Sequence, residues 1–319
     1  HQEPDGHWDT TKFGTAKKAD IACTSLALQA LLWERDSWRR RQYKTQIQRA
    51  VAWLISRQAN NGLISDVGDA TRLSGFGHSH TVAADALALA AGLNKEQDTI
   101  AAAQKAVDYS VKEQHKEGSK QQGPNGAVVE QTDLIAIGGF FMCLVSAKVV
   151  GLDVDKSAFD GVAKFLDGVE RKGAGGQTVY GPASIFSFRP DDPQDQAAHR
   201  LTAIGCYCRM YSGTRKEEVE ASIRWFVKKG GLPDTWGDRT DLCYWFYGTL
   251  CTFTLGREAW PEWDRALRKT LVNNQRTGGD EDGSWDPVGE FSREWSRVGQ
   301  TAVCTLLLPS YPDYSGEHE

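Results

Sequence analysis

The sequence lacks long hydrophobic runs, paired-cysteine motifs and any excess of basic residues. No apolar segment reaches the roughly 18 uncharged residues that a transmembrane helix needs, so we predict no transmembrane segment. Seven cysteines, an odd number without a CxxC pair, are typical of buried free thiols and not of a disulfide framework or structural zinc site. The net charge of -5 argues against nucleic acid as a partner.

The N-terminal residues, His1 to Gly6, do not form a signal peptide. The compartment therefore stays open: the protein is cytoplasmic, or it is exported and its signal has been removed. A length of 319 residues, 40% of them hydrophobic and eleven of them tryptophan, favours a substantial core. We interpret residues 1–319 as a single domain.

Repetition along the chain predicts the architecture. Six glycine-containing loops recur at intervals of about 50 to 65 residues, which is room for one helical hairpin each. A mostly apolar segment follows every loop, and amphipathic segments at helical spacing precede the later loops. The apolar segments are Asp20–Trp33, Ser79–Leu93, Gln131–Val150, Ala197–Tyr211, Asp241–Leu255 and Gly299–Leu308.

This alternation predicts an all-α fold of the α/α toroid class. Helices without a polar face must be surrounded by other helices, whereas amphipathic helices face water on one side. Six hairpins closing in a ring provide both layers. The sequence shows six inner helices and five outer ones, so we expect the first outer helix to precede His1. We interpret Gln177–Arg189 as a long loop.

One pair of segments carries a family resemblance. Arg268–Gln275 followed by Asp282–Trp285 resembles the QW repeat of squalene and oxidosqualene cyclases; Ala52–Gln58 is a weaker copy and Gln2–Trp8 a fragment. In that family the Gln caps the next helix and stacks on the Trp, which ties neighbouring hairpins together. The whole chain is most similar to single-domain bacterial prenyltransferase/squalene oxidase repeat proteins, and this resemblance implies a terpenoid cyclase-like or prenyltransferase-like toroid.

The family's catalytic motifs are largely missing. Asp241–Phe246 looks like the Asp-x-Cys-Tyr segment of protein prenyltransferase β subunits, where Asp and Cys bind zinc. The third ligand there is a His, but this chain has Gln300 at the nearest equivalent position. The Asp-x-Asp-Asp motif of class II cyclases is also absent. Because structural and catalytic zinc sites use at least three protein ligands, we predict no metal and no cofactor.

Candidate site residues lie where the inner helices begin. The starts of these helices converge on one end of the toroid, and a His beside a carboxylate can exchange protons near neutral pH. Each residue also has a structural alternative, as a helix cap or as core. The catalytic candidates are Asp241, His199, Asp133 and His80. The substrate-binding candidates are Tyr244, Trp245, Phe76, Gln300, Asp20 and His78.

Three functions stay open at this level. The resemblance implies a protein that binds or converts a hydrophobic or isoprenoid small molecule in the central cavity. The alternatives are a carbohydrate-active enzyme with paired carboxylates, since such enzymes also use α/α toroids, and a non-enzymatic binding or scaffold module with a protein partner. A deep apolar cavity would favour the isoprenoid-binding protein, and an open acidic and aromatic groove would favour the carbohydrate-active enzyme. A centre filled by side chains would favour the binding or scaffold module.

Overall fold

We analysed a computed structural model of the chain. It describes residues 1–13, 19–33, 41–66, 79–120, 134–173, 175–180, 198–212, 215–256 and 259–308, with backbone alone at 115–120 and 290–294. The described part holds eleven α-helices, one 3₁₀ helix (Thr10–Phe13) and two short strands. The helices are α1 (Asp20–Trp33), α2 (Lys44–Arg57), α3 (Ser79–Asn94), α4 (Gln97–Lys120), α5 (Leu134–Val149), α6 (Lys156–Val169), α7 (Ala198–Ser212), α8 (Lys216–Gly230), α9 (Leu242–Leu255), α10 (Trp260–Asn273) and α11 (Gly289–Leu307).

Six of these helices form a closed inner ring. Helix α1 packs against α3, α3 against α5, and the series continues through α7, α9 and α11 back to α1. Four of them, α1, α3, α5 and α9, are apolar almost all round, so each is stable only when other helices enclose it. The all-helical toroid predicted from the sequence is confirmed.

Five described helices, α2, α4, α6, α8 and α10, form the outer layer. Each of the first four packs against the inner helix before it and the one after it, and α10 packs against α9. Their buried residues recur at helical spacing, as Val162, Leu166 and Val169 do on α6. Among the described helices, none is both long and apolar enough to cross a membrane.

Glutamines at equal spacing tie neighbouring outer helices together. Gln2 and Gln58 each donate from Nε2 to the carbonyl of a glycine four residues later. Each also donates to a carbonyl 44 residues further along the chain, in the next outer helix. Gln114 makes the same long-range bond, to Ala158 O at 3.0 Å. The sequence analysis did not single out Gln114, because its copy of the repeat has no tryptophan.

The C-terminal QW-like segment forms a related tie. Gln275 donates to Gly283 O at 2.8 Å, and Trp285 Nε1 donates to Leu271 O at 2.8 Å. The loop between them therefore folds back onto the end of α10. This confirms that the repeat is a structural device.

Strand β1 (Glu170–Lys172) pairs antiparallel with β2 (Thr178–Tyr180), so part of the segment interpreted as a long loop forms a hairpin. Gly176 has φ of +79° in the connecting turn. Tyr180 lies against α7, where a β-carbon at Gly205 would approach the tyrosine ring to 2.3 Å. Packing of the Tyr180 ring against Gly205 therefore holds the hairpin on α7.

A buried arginine anchors the same hairpin. Arg209 on α7, 4% exposed, donates to Tyr180 Oη at 3.3 Å and pairs with Asp167 and Glu170. Burial lowers the pKa of Arg209, but the hydrogen bonds to Tyr180 and Asp167 outweigh it, so the pKa of Arg209 is raised. The hairpin, α6 and α7 are thus joined by one network of charges.

Asp85 is a carboxylic acid buried inside the inner ring. It lies on α3 and is 4% exposed; its Oδ2 accepts a hydrogen bond from Gln29 Nε2 at 2.9 Å. Burial raises the pKa of Asp85 to about 6, although the Ser146 hydroxyl lowers it in part. The carboxyl group is therefore neutral in mild acid and charged at pH 8.

We predict that Gly62→Ala destabilises the protein more than Gly278→Ala. Both glycines have positive φ, but a β-carbon at Gly62 would lie 2.2 Å from Lys105 O, whereas at Gly278 nothing lies within 4 Å. Positive φ alone costs about 1 kcal/mol, and the clash adds roughly 1–3 kcal/mol. Urea unfolding of both variants measures the difference. Equal losses would show that the contact with α4 contributes nothing.

We predict that Asp85→Asn changes how stability depends on pH. The folded pKa of about 6 exceeds the ordinary value near 3.9 for an unfolded chain, so the folded state binds the proton more tightly. Wild type then loses stability as pH rises from 4 to above 6, by about 2–3 kcal/mol. The variant should lack this decline in urea unfolding across that range, whereas Asp160→Asn, at an exposed position, should keep it. Parallel curves for wild type and Asp85→Asn would contradict the assignment.

Candidate functional site

The inner helices run parallel, because an outer helix returns the chain between successive inner ones. Their N-termini therefore meet at one end of the ring, which we call the N-terminal rim. Unpaired backbone N–H groups at these ends give the rim a partial positive charge. Carboxylates placed here are stabilised without further partners.

An ion pair joins two neighbouring inner helices at the N-terminal rim. Asp241 precedes α9 and accepts a hydrogen bond from Tyr244 N–H at 2.9 Å, so it caps that helix. Its other oxygen lies 3.3 Å from Arg200 of α7, and the side chains are 22% and 17% exposed respectively. The carboxylate is thus fixed in direction, held beside a cation and still reached by solvent.

Below this pair, α9 presents an aromatic face to the axis of the ring. Tyr244 and Gly248 face the outer layer, where they meet Phe226 and Trp263. Phe246 is about 200° round the helix from Tyr244, so it points inward, and it keeps partial exposure. Leu250, one turn further on, does the same. Phe246 and Leu250 are thus partly exposed apolar side chains on the side of α9 that faces away from the outer layer.

A second aromatic pair lies beside the rim. Trp245 is buried, and its ring centroid is 6.3 Å from that of the half-buried Trp236 in the preceding loop. This loop is pinned to α11: Gly289 has φ of +73°, and a β-carbon there would lie 2.1 Å from Thr240 O. Trp236 is consequently held in place at the edge of the rim.

Two further carboxylates stabilise the start of α1. Asp20 accepts hydrogen bonds from the backbone N–H and the hydroxyl of Thr10, at 3.0 and 2.8 Å. Asp66 accepts from Ile21 N–H at 3.2 Å and so caps the helix from the next loop. Asp20 lies at the rim as predicted, with its Oδ1 occupied by local structure.

His80 is held between α3 and α4. Its Nδ1 accepts from Ile64 N–H at 3.1 Å, and its Nε2 lies 3.2 Å from Ala106 O and 3.0 Å from Ser110 Oγ. These partners fix the tautomer with the proton on Nε2. Thr24 and Thr301 accept backbone N–H groups at the same separation of 16 residues. His80 therefore takes the place that a threonine holds in other repeats.

His199 and Tyr244 also meet each other away from the axis. Their ring centroids are 4.6 Å apart, edge to face, and both rings lie against Gly230 at the end of outer helix α8. Tyr244 Oη donates to Gly231 O at 2.8 Å. Burial raises the pKa of Tyr244 far above its usual range. The contacts of this pair join α7 and α9 to the outer layer.

Gln300 is buried on α11, 2% exposed, and neither atom of its amide has a hydrogen-bond partner in the described part of the chain. The helix is kinked four residues earlier, at Ser296, where φ is +56°. A buried amide without partners costs free energy. It is the kind of group that a polar ligand or a water molecule satisfies.

Three predicted site residues, Asp133, His78 and Phe76, lie outside the described residues. The structure adds two side chains that the sequence analysis did not name. Arg200 pairs with Asp241, and the ring of Trp236 lies beside that of Trp245. Arg200 had a signal, because a charge in the first turn of an inner helix needs a partner. Among the described residues, no three His, Cys, Asp or Glu side chains are grouped to hold a metal ion.

No protein-family model and no curated protein matches the chain. Its fold matches solved structures of carbohydrate enzymes. An inactive variant of the α-1,6-mannanase GH76A of Salegentibacter sp., in complex with α-1,6-mannotetrose, is 12% identical with a TM-score of 0.60, covering 96% of this chain and 95% of that one. An α-amylase from Clostridium perfringens is 14% identical with a TM-score of 0.55, covering 90% and 85%. At these identities the matches establish the fold alone.

These matches correct the family resemblance drawn from the sequence. The similar structures are glycoside hydrolases, so the assignment to terpenoid cyclase-like and prenyltransferase-like proteins is wrong, and an isoprenoid partner is unsupported. The physical reason lies in the motif itself. Hydrogen bonds from Gln58 and Gln275 hold loops against helices, and that is a requirement of packing hairpins in a ring, independent of the reaction.

Proposed function

We propose that the protein is a carbohydrate-active enzyme that binds an oligosaccharide at the N-terminal rim and hydrolyses it there. The observation that carries this proposal is the Asp241–Arg200 pair, 3.3 Å apart and partly exposed, above the inward-facing Phe246. A fixed carboxylate, a guanidinium and an aromatic face provide polar groups for sugar hydroxyls and an apolar surface for the sugar ring.

The geometry holds the Asp241 carboxylate in one position. It accepts a backbone N–H at 2.9 Å, and its other oxygen lies beside the guanidinium of Arg200. An ionised carboxylate is the nucleophile or the general base in glycoside hydrolysis. We therefore assign this role to Asp241.

Glycoside hydrolysis also needs a second carboxyl group, which protonates the leaving oxygen. We assign it to Asp133, which lies outside the described residues and directly precedes Leu134, the first residue of α5, in the sequence. The mannanase with the similar fold was made inactive by replacing two aspartates, which is consistent with a mechanism of this class. Gln300, with its unsatisfied amide, is the candidate to bind a sugar hydroxyl.

The test replaces Asp241 by Asn and assays α-1,6-manno-oligosaccharides and α-glucans for released reducing ends. We expect wild type to hydrolyse at least one of them. Asp241→Asn should lower kcat/KM by about 100-fold or more, while its stability falls by about 1 kcal/mol or less, because Asn also caps helices well.

Asp155→Asn is the matched control. Asp155 caps outer helix α6 by accepting Ser157 N–H at 2.8 Å, so this variant loses the same kind of interaction away from the rim. It should unfold at slightly lower urea concentration and keep full activity. Equal activity losses in both variants, or wild type inactive on every substrate, would count against the proposal.

A further inference from the structure

The opposite end of the ring, where the inner helices finish, contains an apolar pocket of about 460 Å³. Its walls come from the last turns of α1, α3 and α5, and they include Leu32, Leu89 and Leu93. Trp33, Leu93 and Val149 are 38%, 49% and 78% exposed. Large apolar side chains exposed together around a cavity mark a binding site more often than chance.

A polar cluster lies beneath the floor of this pocket. Gln29, Asp85 and Ser146 each precede a lining residue by one helical turn, on α1, α3 and α5 respectively. Gln29 Nε2 donates to Asp85 Oδ2 at 2.9 Å and to Val82 O at 3.1 Å. Asp85 Oδ1 has no partner at hydrogen-bond geometry in the described part of the chain, although the Ser146 hydroxyl is close enough to lower the pKa of Asp85. One buried carboxyl oxygen thus lies without a full partner, one helical turn below the residues that line the cavity.

The charges around this cluster favour a cation. The carbonyl ends of α1, α3 and α5 converge around the pocket above this cluster, and helix C-termini carry partial negative charge. The titratable groups that interact with Asp85 from the neighbouring helices are Cys143, Tyr207 and Tyr247. Burial raises the pKa of all three, so they stay uncharged near neutral pH.

The basic groups near the pocket lie at its mouth. Lys95 lines the pocket and Lys148 is on the last turn of α5, and both are exposed. Solvent screens their charges, so they do not neutralise a carboxylate inside the ring.

We propose that this pocket binds a small organic amine, with an ammonium group carried on a compact apolar body. One helical turn is ~5 Å, so an ammonium at the floor lies within the range over which opposite charges strongly favour each other. The apolar body then replaces water against Leu32, Leu89 and Leu93. The ring of Trp33 extends this apolar wall at the mouth.

Other ligand classes fit less well. A carboxylate would face both Asp85 and three helix C-termini, which repel it. A neutral hydrocarbon would fill the cavity but leave the Asp85 charge uncompensated at pH 8. The site is separate from the N-terminal rim, so this inference stands or falls independently of the proposed glycoside hydrolysis.

The experiment compares three probes of the same shape by isothermal titration calorimetry at pH 8: 2-phenylethylamine, 2-phenylethanol and 3-phenylpropanoate. We expect saturable binding of the amine, at least about tenfold tighter than the alcohol, and no detectable binding of the carboxylate. The amine remains protonated between pH 5 and 8. Its advantage over the alcohol should therefore shrink as the pH falls through 6 and Asp85 becomes neutral.

Two variants separate the contributions. Asp85→Asn keeps the shape of the side chain and should bring the amine and the alcohol to equal affinity. Val149→Trp, at a position 78% exposed, should fill the mouth and weaken both probes by about tenfold or more. Val272→Trp is its control, because Val272 is 60% exposed on outer helix α10, and it should change neither affinity.

Four results would overturn the proposal. They are the absence of saturable amine binding, equal or tighter binding of the carboxylate, an amine preference that survives in Asp85→Asn, and wild-type affinity in Val149→Trp. If Asp85→Asn does not fold, the pH dependence of the wild-type preference and the Val149→Trp result decide the matter.

Discussion

The structure depends on one constraint: a helix that is apolar on every side must be enclosed by other helices. Six inner helices satisfy it by packing on one another in a closed ring, with outer helices filling the grooves between them. The side walls of such a ring leave little room for polar groups. The partly exposed Asp241–Arg200 pair accordingly lies where inner helices begin, whereas Asp85 lies within helix α3, inside the ring, and bonds to Gln29 of the neighbouring helix.

Much of the fold could be predicted because apolar residues recur at helical spacing and the loop–helix unit repeats along the chain. Apolar runs alternating with amphipathic ones identify the two layers, and the spacing of the loops gives the hairpin count. The β-hairpin was missed because it depends on a long-range fit, the Tyr180 ring against Gly205, which leaves no local pattern. The role of Gln114 was missed for a related reason: its hydrogen bond reaches a residue in another helix, and the motif that would signal it is incomplete.

The sequence indicates which residues begin the inner helices but not which way their side chains point. A helix that is apolar all round gives no periodic signal of which face looks inward, so the sequence cannot separate Tyr244, which meets the outer layer, from Phe246, which faces the axis. The same ambiguity placed His80 among the candidates, although its two nitrogens bind the neighbouring loop and α4. Asp241 could be found because a carboxylate directly before an apolar helix has a local reason to be there, as a cap.

The two ends of the ring differ in electrostatics for a reason built into the fold. Parallel inner helices place their unpaired N–H groups at one end and their unpaired carbonyl groups at the other. At the first end Asp241 accepts a backbone N–H and pairs with Arg200. Toward the second, inside the ring, Asp85 accepts a hydrogen bond from Gln29 but is paired with no cation in the described part of the chain, and burial raises its pKa to about 6. An ionised Asp85 is therefore compensated only by a cation supplied from outside the described part of the chain, and the apolar pocket above it is where such a cation can be accommodated.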